Sequence, residues 1–189
     1  MIPMPPPAIR PPAIHARDEW HAEPPRRELA HKPERIVLHH SWRPTARDWR
    51  GGDTVRAIQQ YHMHDSSTGW DDIGYHYLIG PDGSTWAGRG PLTIGAHCGG
   101  RLPDGVRRVF GNKGSIGICL IGDFDREEPT LDAIASLVAL INWLQREHGL
   151  RRDAIYGHCE AWSRAPKSCP GRHLFFEILG EARWAKIRW

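Results

Sequence analysis

The segment Ser115-Ile116-Gly117-Ile118-Cys119-Leu120-Ile121 constrains the fold most, because after its first serine it carries no polar side chain on either face. A β-strand alternates its side chains between two faces, so an unbroken apolar run must be covered on both. That is the place of a central strand between layers of helix. Arg35-Ile36-Val37-Leu38-His39-His40-Ser41 is a second buried run, ending in two histidines. Ile73 to Ile79 meets the turn signal Pro81-Asp82-Gly83 before Ser84-Thr85-Trp86-Ala87 resumes an extended pattern, which predicts a hairpin. Ala154 to His158 reads as a last short strand.

Helical patterns lie between these strands. Asp53 is placed to cap a helix through about His64, with Val55, Ile58 and part of Gln59 to His62 turned inward. Thr130 opens the clearest helix, whose expected apolar face is Leu131, Ile134, Leu137, Val138, Ile141 and Leu144, with Gly149 at its C-terminal cap. Leu174 to Leu179 is a final helical stretch. Strands separated by helices predict a single α/β domain, a central mixed β-sheet flanked by helices.

Hydrophobic residues at 40% and charged residues at 25% exclude disordered, collagen-like and coiled-coil classes. No apolar stretch approaches the roughly 20 residues needed to span a bilayer. Met1 to Pro7 lacks the basic start and apolar run of a secretion signal, so the expectation is a protein that accumulates in a cytoplasm. Nine of the sixteen prolines fall within residues 1–33, which predicts an extended arm over 1–17 ahead of a domain over 18–189. A net charge of +3 gives no reason to expect nucleic acid as a partner. Four cysteines without a C-x-x-C pair do not make a disulfide scaffold.

Three potential metal ligands stand at ends of expected elements: His39 closing one strand, His158 closing another, and Cys169 in the loop Ala165 to Gly171. Two imidazoles and a thiolate would give zinc three protein ligands and leave the fourth tetrahedral position open, the pattern of a catalytic site. With twelve histidines in the chain some such trio is easy to find, so spacing alone leaves a metal site as one reading among others.

Six segments occur in an order that resembles a known family: Ile36-Val37-Leu38-His39-His40-Ser41, Gly69-Trp70-Asp71-Asp72-Ile73-Gly74-Tyr75-His76-Tyr77, Pro81-Asp82-Gly83, Gly95-Ala96-His97, Gly114-Ser115-Ile116-Gly117-Ile118, and Gly157-His158 with Lys167-Ser168-Cys169-Pro170-Gly171. Together they are similar to the type 2 N-acetylmuramoyl-L-alanine amidases, which include phage endolysins and peptidoglycan recognition proteins. The resemblance covers roughly Trp20 to Phe176. It implies one Zn2+ ion in a surface groove at strand ends, held by His39, His158 and Cys169, with Tyr75 and Lys167 as catalytic residues. It further implies peptidoglycan as substrate, cut at the amide between N-acetylmuramic acid and L-alanine. Gly69-Trp70 with Arg89 matches the pattern that goes with meso-diaminopimelate in the stem peptide, and His97 matches a groove position at the sugar-peptide junction; Trp70, Arg89 and His97 are therefore the implied substrate-binding residues. A guanidinium can grip the extra carboxylate of diaminopimelate with two parallel hydrogen bonds.

The expected role is that of a monomeric endolysin reaching the wall from the host cytoplasm once the membrane is breached. Its rivals are a cytosolic muropeptide-recycling amidase and a module that binds peptidoglycan without cutting it. Such modules usually lack the ligand cysteine, which is present here as Cys169. Residues 181–189 interleave cations with tryptophans, and with the arginines of the arm they suggest contact with an outer membrane or lipopolysaccharide.

Overall fold

In the computed structural model, which describes residues 11–65, 69–99 and 104–187, five strands form one mixed sheet. They are β1 (Arg35–His40), β2 (Tyr77–Ile79), β3 (Thr85–Ala87), β4 (Ser115–Leu120) and β5 (Ile155–Gly157), in the order β3-β2-β4-β1-β5. The apolar run takes the centre as β4, parallel to β1 and to β2, while β5 runs parallel to β1. Only the β2–β3 hairpin is antiparallel.

Side-chain alternation divides the core in two. Ile36 and Leu38 of β1, with Ile116, Ile118 and Leu120 of β4, pack against Leu137, Leu140, Ile141 and Leu144 of helix α2 (Leu131–Glu147). On the other face Cys119 and Leu78 join Val55 and Ile58 of helix α1 (Gly52–His64), sealed by Trp20 and Trp86. His39 shares the parity of Val37 and Cys119, so it points away from α2. Cys119 itself is a buried apolar filler.

Three local expectations change. The buried stripe of α2 is Ala133, Leu137, Leu140, Ile141 and Leu144, whereas Leu131 is 86% exposed and Val138 44% exposed. Thr130 does cap this helix, accepting the Ala133 amide at 3.1 Å, and Gly149 has the positive φ expected of a helix terminus. Helix α1 starts at Gly52 after Gly51, so Asp53 lies in the first turn rather than at the cap. A Cβ on Gly52 would lie 2.9 Å from Cβ of Trp20, so the helix start is wedged too closely for any other residue. The strand foreseen from Ile73 begins only at Tyr77, because the amides of Ile73 and Gly74 donate to the side chains of Asp72 and His62 instead of a neighbouring strand.

Of the proline-rich segment, residues 1–10 lie outside the described residues. His15 donates its amide to Thr85 and accepts from Ala87, adding one rung to the β3 edge, and its ring stacks on Trp86 at 4.1 Å. Arg17 pairs with buried Asp72 at 2.9 Å. At the other end, α3 (Arg172–Leu179) and α4 (Glu181–Trp184) fold back on the domain. Trp184 packs on Phe175 and Phe176, and Arg183 grips Glu160 through two nitrogens at 2.8 and 3.0 Å. These two groups, expected to face an outer membrane, are engaged within the domain; Arg188 and Trp189 lie outside the described residues. Among the described residues no helix is long and apolar enough to cross a membrane.

Candidate metal centre

The register between β1 and β5 creates the site. Leu38 stands beside Gly157, so the next residue of each strand, His39 and His158, emerges at the same level, their ring centroids 4.3 Å apart. The third group arrives on the loop before α3. The Cys159 amide donates to the carbonyl of Cys169 at 2.7 Å, and Asp125 takes hydrogen bonds from the Ser168 hydroxyl and the Arg172 amide. Gly171, at φ +88°, lets this loop pass so close to Phe124 that a Cβ would sit 2.5 Å from its carbonyl carbon. The Cys169 sulfur consequently lies 3.7 Å from Nδ1 of His39, and one donor atom from each of His39, His158 and Cys169 falls within 4.8 Å of the others. All three residues are buried.

This trio fits zinc. Zn–S near 2.3 Å and Zn–N near 2.1 Å at a tetrahedral angle separate sulfur from nitrogen by about 3.6 Å. Nε2 of His158 is buried without a hydrogen-bond partner among the described residues, as a histidine does when its contacts are incomplete. Burial, then the neighbouring His158 and Lys167, pushes His39 well below the usual histidine range, and burial and Lys167 do the same for His158, so both imidazoles are neutral and hold lone pairs. Burial pushes the Cys169 thiol up to about 12; a cation among these donors reverses that shift.

The hydrogen bonds also fix which nitrogen of His39 is available. Nε2 of His97 lies 3.3 Å from the Ser115 carbonyl, which can only accept, so this nitrogen carries the proton. Burial holds His97 neutral, leaving its Nδ1 as an acceptor, and Nε2 of His39 donates to it at 2.9 Å. His39 therefore turns the lone pair of Nδ1 toward Cys169. Gly117 makes room for this chain, since a Cβ there would lie 2.5 Å from the His97 ring.

Among the described residues two other clusters have metal-ligand composition, His39 with His97 and Cys98, and His40 with Asp123 and Asp125. In the first, Nδ1 of His97 is already the acceptor for His39. In the second, Nδ1 of His40 accepts the Phe124 amide at 3.2 Å, which leaves the neutral ring only an N–H to offer.

A groove of about 710 Å³ opens over the trio, lined also by Trp70, Tyr75, His97, Asn112 and Lys167. Tyr75 lies 5.4 Å from the His39 ring, and burial raises its hydroxyl well above the usual tyrosine range, so it is a proton donor. Lys167 is exposed on the rim. Trp70 is half-buried, leaning on His62 at 4.5 Å. Arg89 is absent from the lining. Its guanidinium is buried and donates to the carbonyls of Ile73 at 2.5 Å, Ile94 at 3.0 Å and Asp72 at 3.1 Å. It braces the loop carrying Trp70 and Tyr75, and meeting a substrate carboxylate would cost it those bonds. Sequence reasoning missed Asn112 and Trp42, both in the lining. Neither carries a motif signal.

Residues 29–172 match the family model described as N-acetylmuramoyl-L-alanine amidase. Peptidoglycan-recognition protein SC1a of Drosophila melanogaster is 33% identical over 132 residues, 69% of this chain and 63% of the relative, so the match spans less than two thirds of that relative's length. A peptidoglycan recognition protein of Trichoplusia ni is 34% identical over 175 residues, 90% of this chain and 86% of its own. Among solved structures, wild-type Drosophila PGRP-LB superposes with a TM-score of 0.72 at 29% identity, covering 88% of this chain and 92% of that one. Peptidoglycan recognition protein-LE in complex with tracheal cytotoxin, a monomeric diaminopimelic acid-type peptidoglycan, gives 0.73 at 30% identity with the same coverage.

Proposed function

The chain belongs to the N-acetylmuramoyl-L-alanine amidase family, and from that premise we propose that it hydrolyses peptidoglycan at the amide between the lactyl group of N-acetylmuramic acid and L-alanine, using one zinc ion held by His39, His158 and Cys169. The observation that carries this reading is the convergence of these three buried donors at the floor of an open groove. When bound, the ion supplies a Lewis acid and lowers the pKa of a water ligand to about 7. The hydrolysis adds hydroxyl to the lactyl carbonyl carbon and a proton to the departing alanine nitrogen as the C–N bond breaks. Tyr75, held protonated, donates a hydrogen bond toward the oxygen that gains charge, and the Lys167 ammonium on the rim stabilises the same charge. His97 holds His39 in the required tautomer.

The finer reading is an endolysin acting from a host cytoplasm on diaminopimelate-type wall. Support for diaminopimelate comes from Trp70 in the groove and from the ligand of the related LE protein, whereas Arg89 would reach a stem carboxylate only by giving up bonds to backbone carbonyls. Contact of the termini with lipopolysaccharide would have to use groups other than Arg183 and Trp184. The test is digestion of purified Gram-negative sacculi by zinc-loaded protein, beside Cys169→Ala and a chelated control. New N-terminal alanine without new reducing ends, lost in both controls, is expected. Retention on sacculi with no amine release would reduce the protein to a recognition module, and preference for soluble muropeptides would favour a recycling enzyme.

A further inference from the structure

Among the described residues, Trp42 is the large aromatic whose backbone adopts a left-handed conformation while its side chain stays in solvent. Its φ is +57°, a region that bulky residues avoid, yet its side chain is 59% exposed. The turn is enforced from both sides: the Arg43 amide closes a three-residue turn onto Ser41 at 2.6 Å, and the Trp42 amide donates to Gly122 at 3.0 Å. The Ser41 hydroxyl donates to Pro44 at 2.6 Å and accepts the Gly122 amide at 3.0 Å.

Trp42, Ser41 and Tyr75 also line a second recess, of about 760 Å³, that continues the metal groove between α1 and the loop after β1. A muramoyl-peptide amide seated at the trio extends both ways, the peptide to one side and the glycan to the other. Trp70, His97 and Asn112 belong to the first arm alone. The second arm presents the Trp42 indole, with the Arg43 guanidinium over one face at 6.0 Å from the ring centroid, and is lined also by Asp48, Arg50 and Asp53. A flat apolar face bordered by charged hydrogen-bonding groups suits a pyranose ring, which offers one face of C–H groups and a rim of hydroxyls.

We propose that Trp42 is a stacking platform for a sugar ring of the glycan strand, making the recess beside α1 the glycan arm of the site; this rests on the amidase reading for its substrate. The test is calorimetric binding of two separate probes to zinc-loaded protein: peptide-free glycan strands prepared from sacculi, and free stem peptide. Trp42→Gly, which suits the left-handed backbone, is expected to weaken glycan binding at least ten-fold while stem-peptide binding stays equal, and Trp42→Phe is expected to restore most of the glycan affinity. Equal glycan binding by wild type and Trp42→Gly, no glycan binding by wild type, or parallel loss of both probes would overturn the proposal. Because binding is read without turnover, a protein that fails to cut sacculi yet shows the Trp42-dependent glycan affinity would refute the amidase reading and leave this one standing.

Discussion

His97→Leu removes what is, among the described residues, the acceptor for a proton sealed behind the candidate metal centre. His39 is 1% exposed, so without His97 its Nε2–H either stays unpaired or the ring shifts its proton to Nδ1, the nitrogen facing Cys169. An unpaired buried donor costs about 1–3 kcal/mol. The alternative tautomer blocks the ligand atom, so either escape weakens metal binding. Loss of such an outer partner typically costs 10- to 100-fold in affinity, about 1.4–2.7 kcal/mol, which agrees with the desolvation figure. Competition against a chromophoric chelator measures the zinc Kd directly, and denaturant unfolding in excess chelator reports any separate damage to the fold. His97→Gln, whose amide oxygen can accept the same proton, is expected to fall much nearer wild type. If His97→Leu binds zinc as tightly as wild type, the relay from Ser115 through His97 to His39 does not set the tautomer, and that part of the reasoning fails.

Arg89→Ala leaves two buried carbonyls and a part-buried one without their donor and is expected to lower unfolding stability by roughly 2–4 kcal/mol in urea titration. An unchanged stability with altered discrimination between diaminopimelate and lysine stem peptides would return Arg89 to the substrate. Burial, then the Arg89 charge, lowers His62 to about 4, and burial lowers His76 to about 3, both from 6.5. Below 6.5 the unfolded chain takes up protons that the native chain refuses, so stability present at pH 7 is lost as pH falls; by pH 4.5 each contributes a loss of roughly 2–3 kcal/mol. Histidine resonances that show either ring charged in the native protein at pH 5.5 would contradict this.

The sheet was legible because its strands announce themselves as short apolar runs, and β4 could only be central once both its faces were apolar. His39, His158 and Cys169 were legible as residue types at element ends, while their meeting depended on the β1–β5 register between segments more than a hundred residues apart, which no local pattern encodes. Arg89 matches the motif by its place in the chain, and that place says nothing about the carbonyls of Ile73, Ile94 and Asp72 that surround its guanidinium. The outward position of Leu131 follows from the phase of α2, set by Leu137, Leu140 and Leu144, to which a first-turn residue simply yields. Trp42 had no readable signal, since a left-handed φ at a tryptophan is imposed by Ser41 and Gly122.

The strand order has a consequence for how the protein comes into being. A ribosome delivers His39 early, with the first strand of the sheet, but His158 and Cys169 come only after β1 to β4 and the long helix α2 have been made. A chain that stops before His158 thus carries a single one of the three donors, His39. The three donors meet only where the fifth strand pairs with the first, so the candidate site depends on the strand that comes last in the chain order of the sheet.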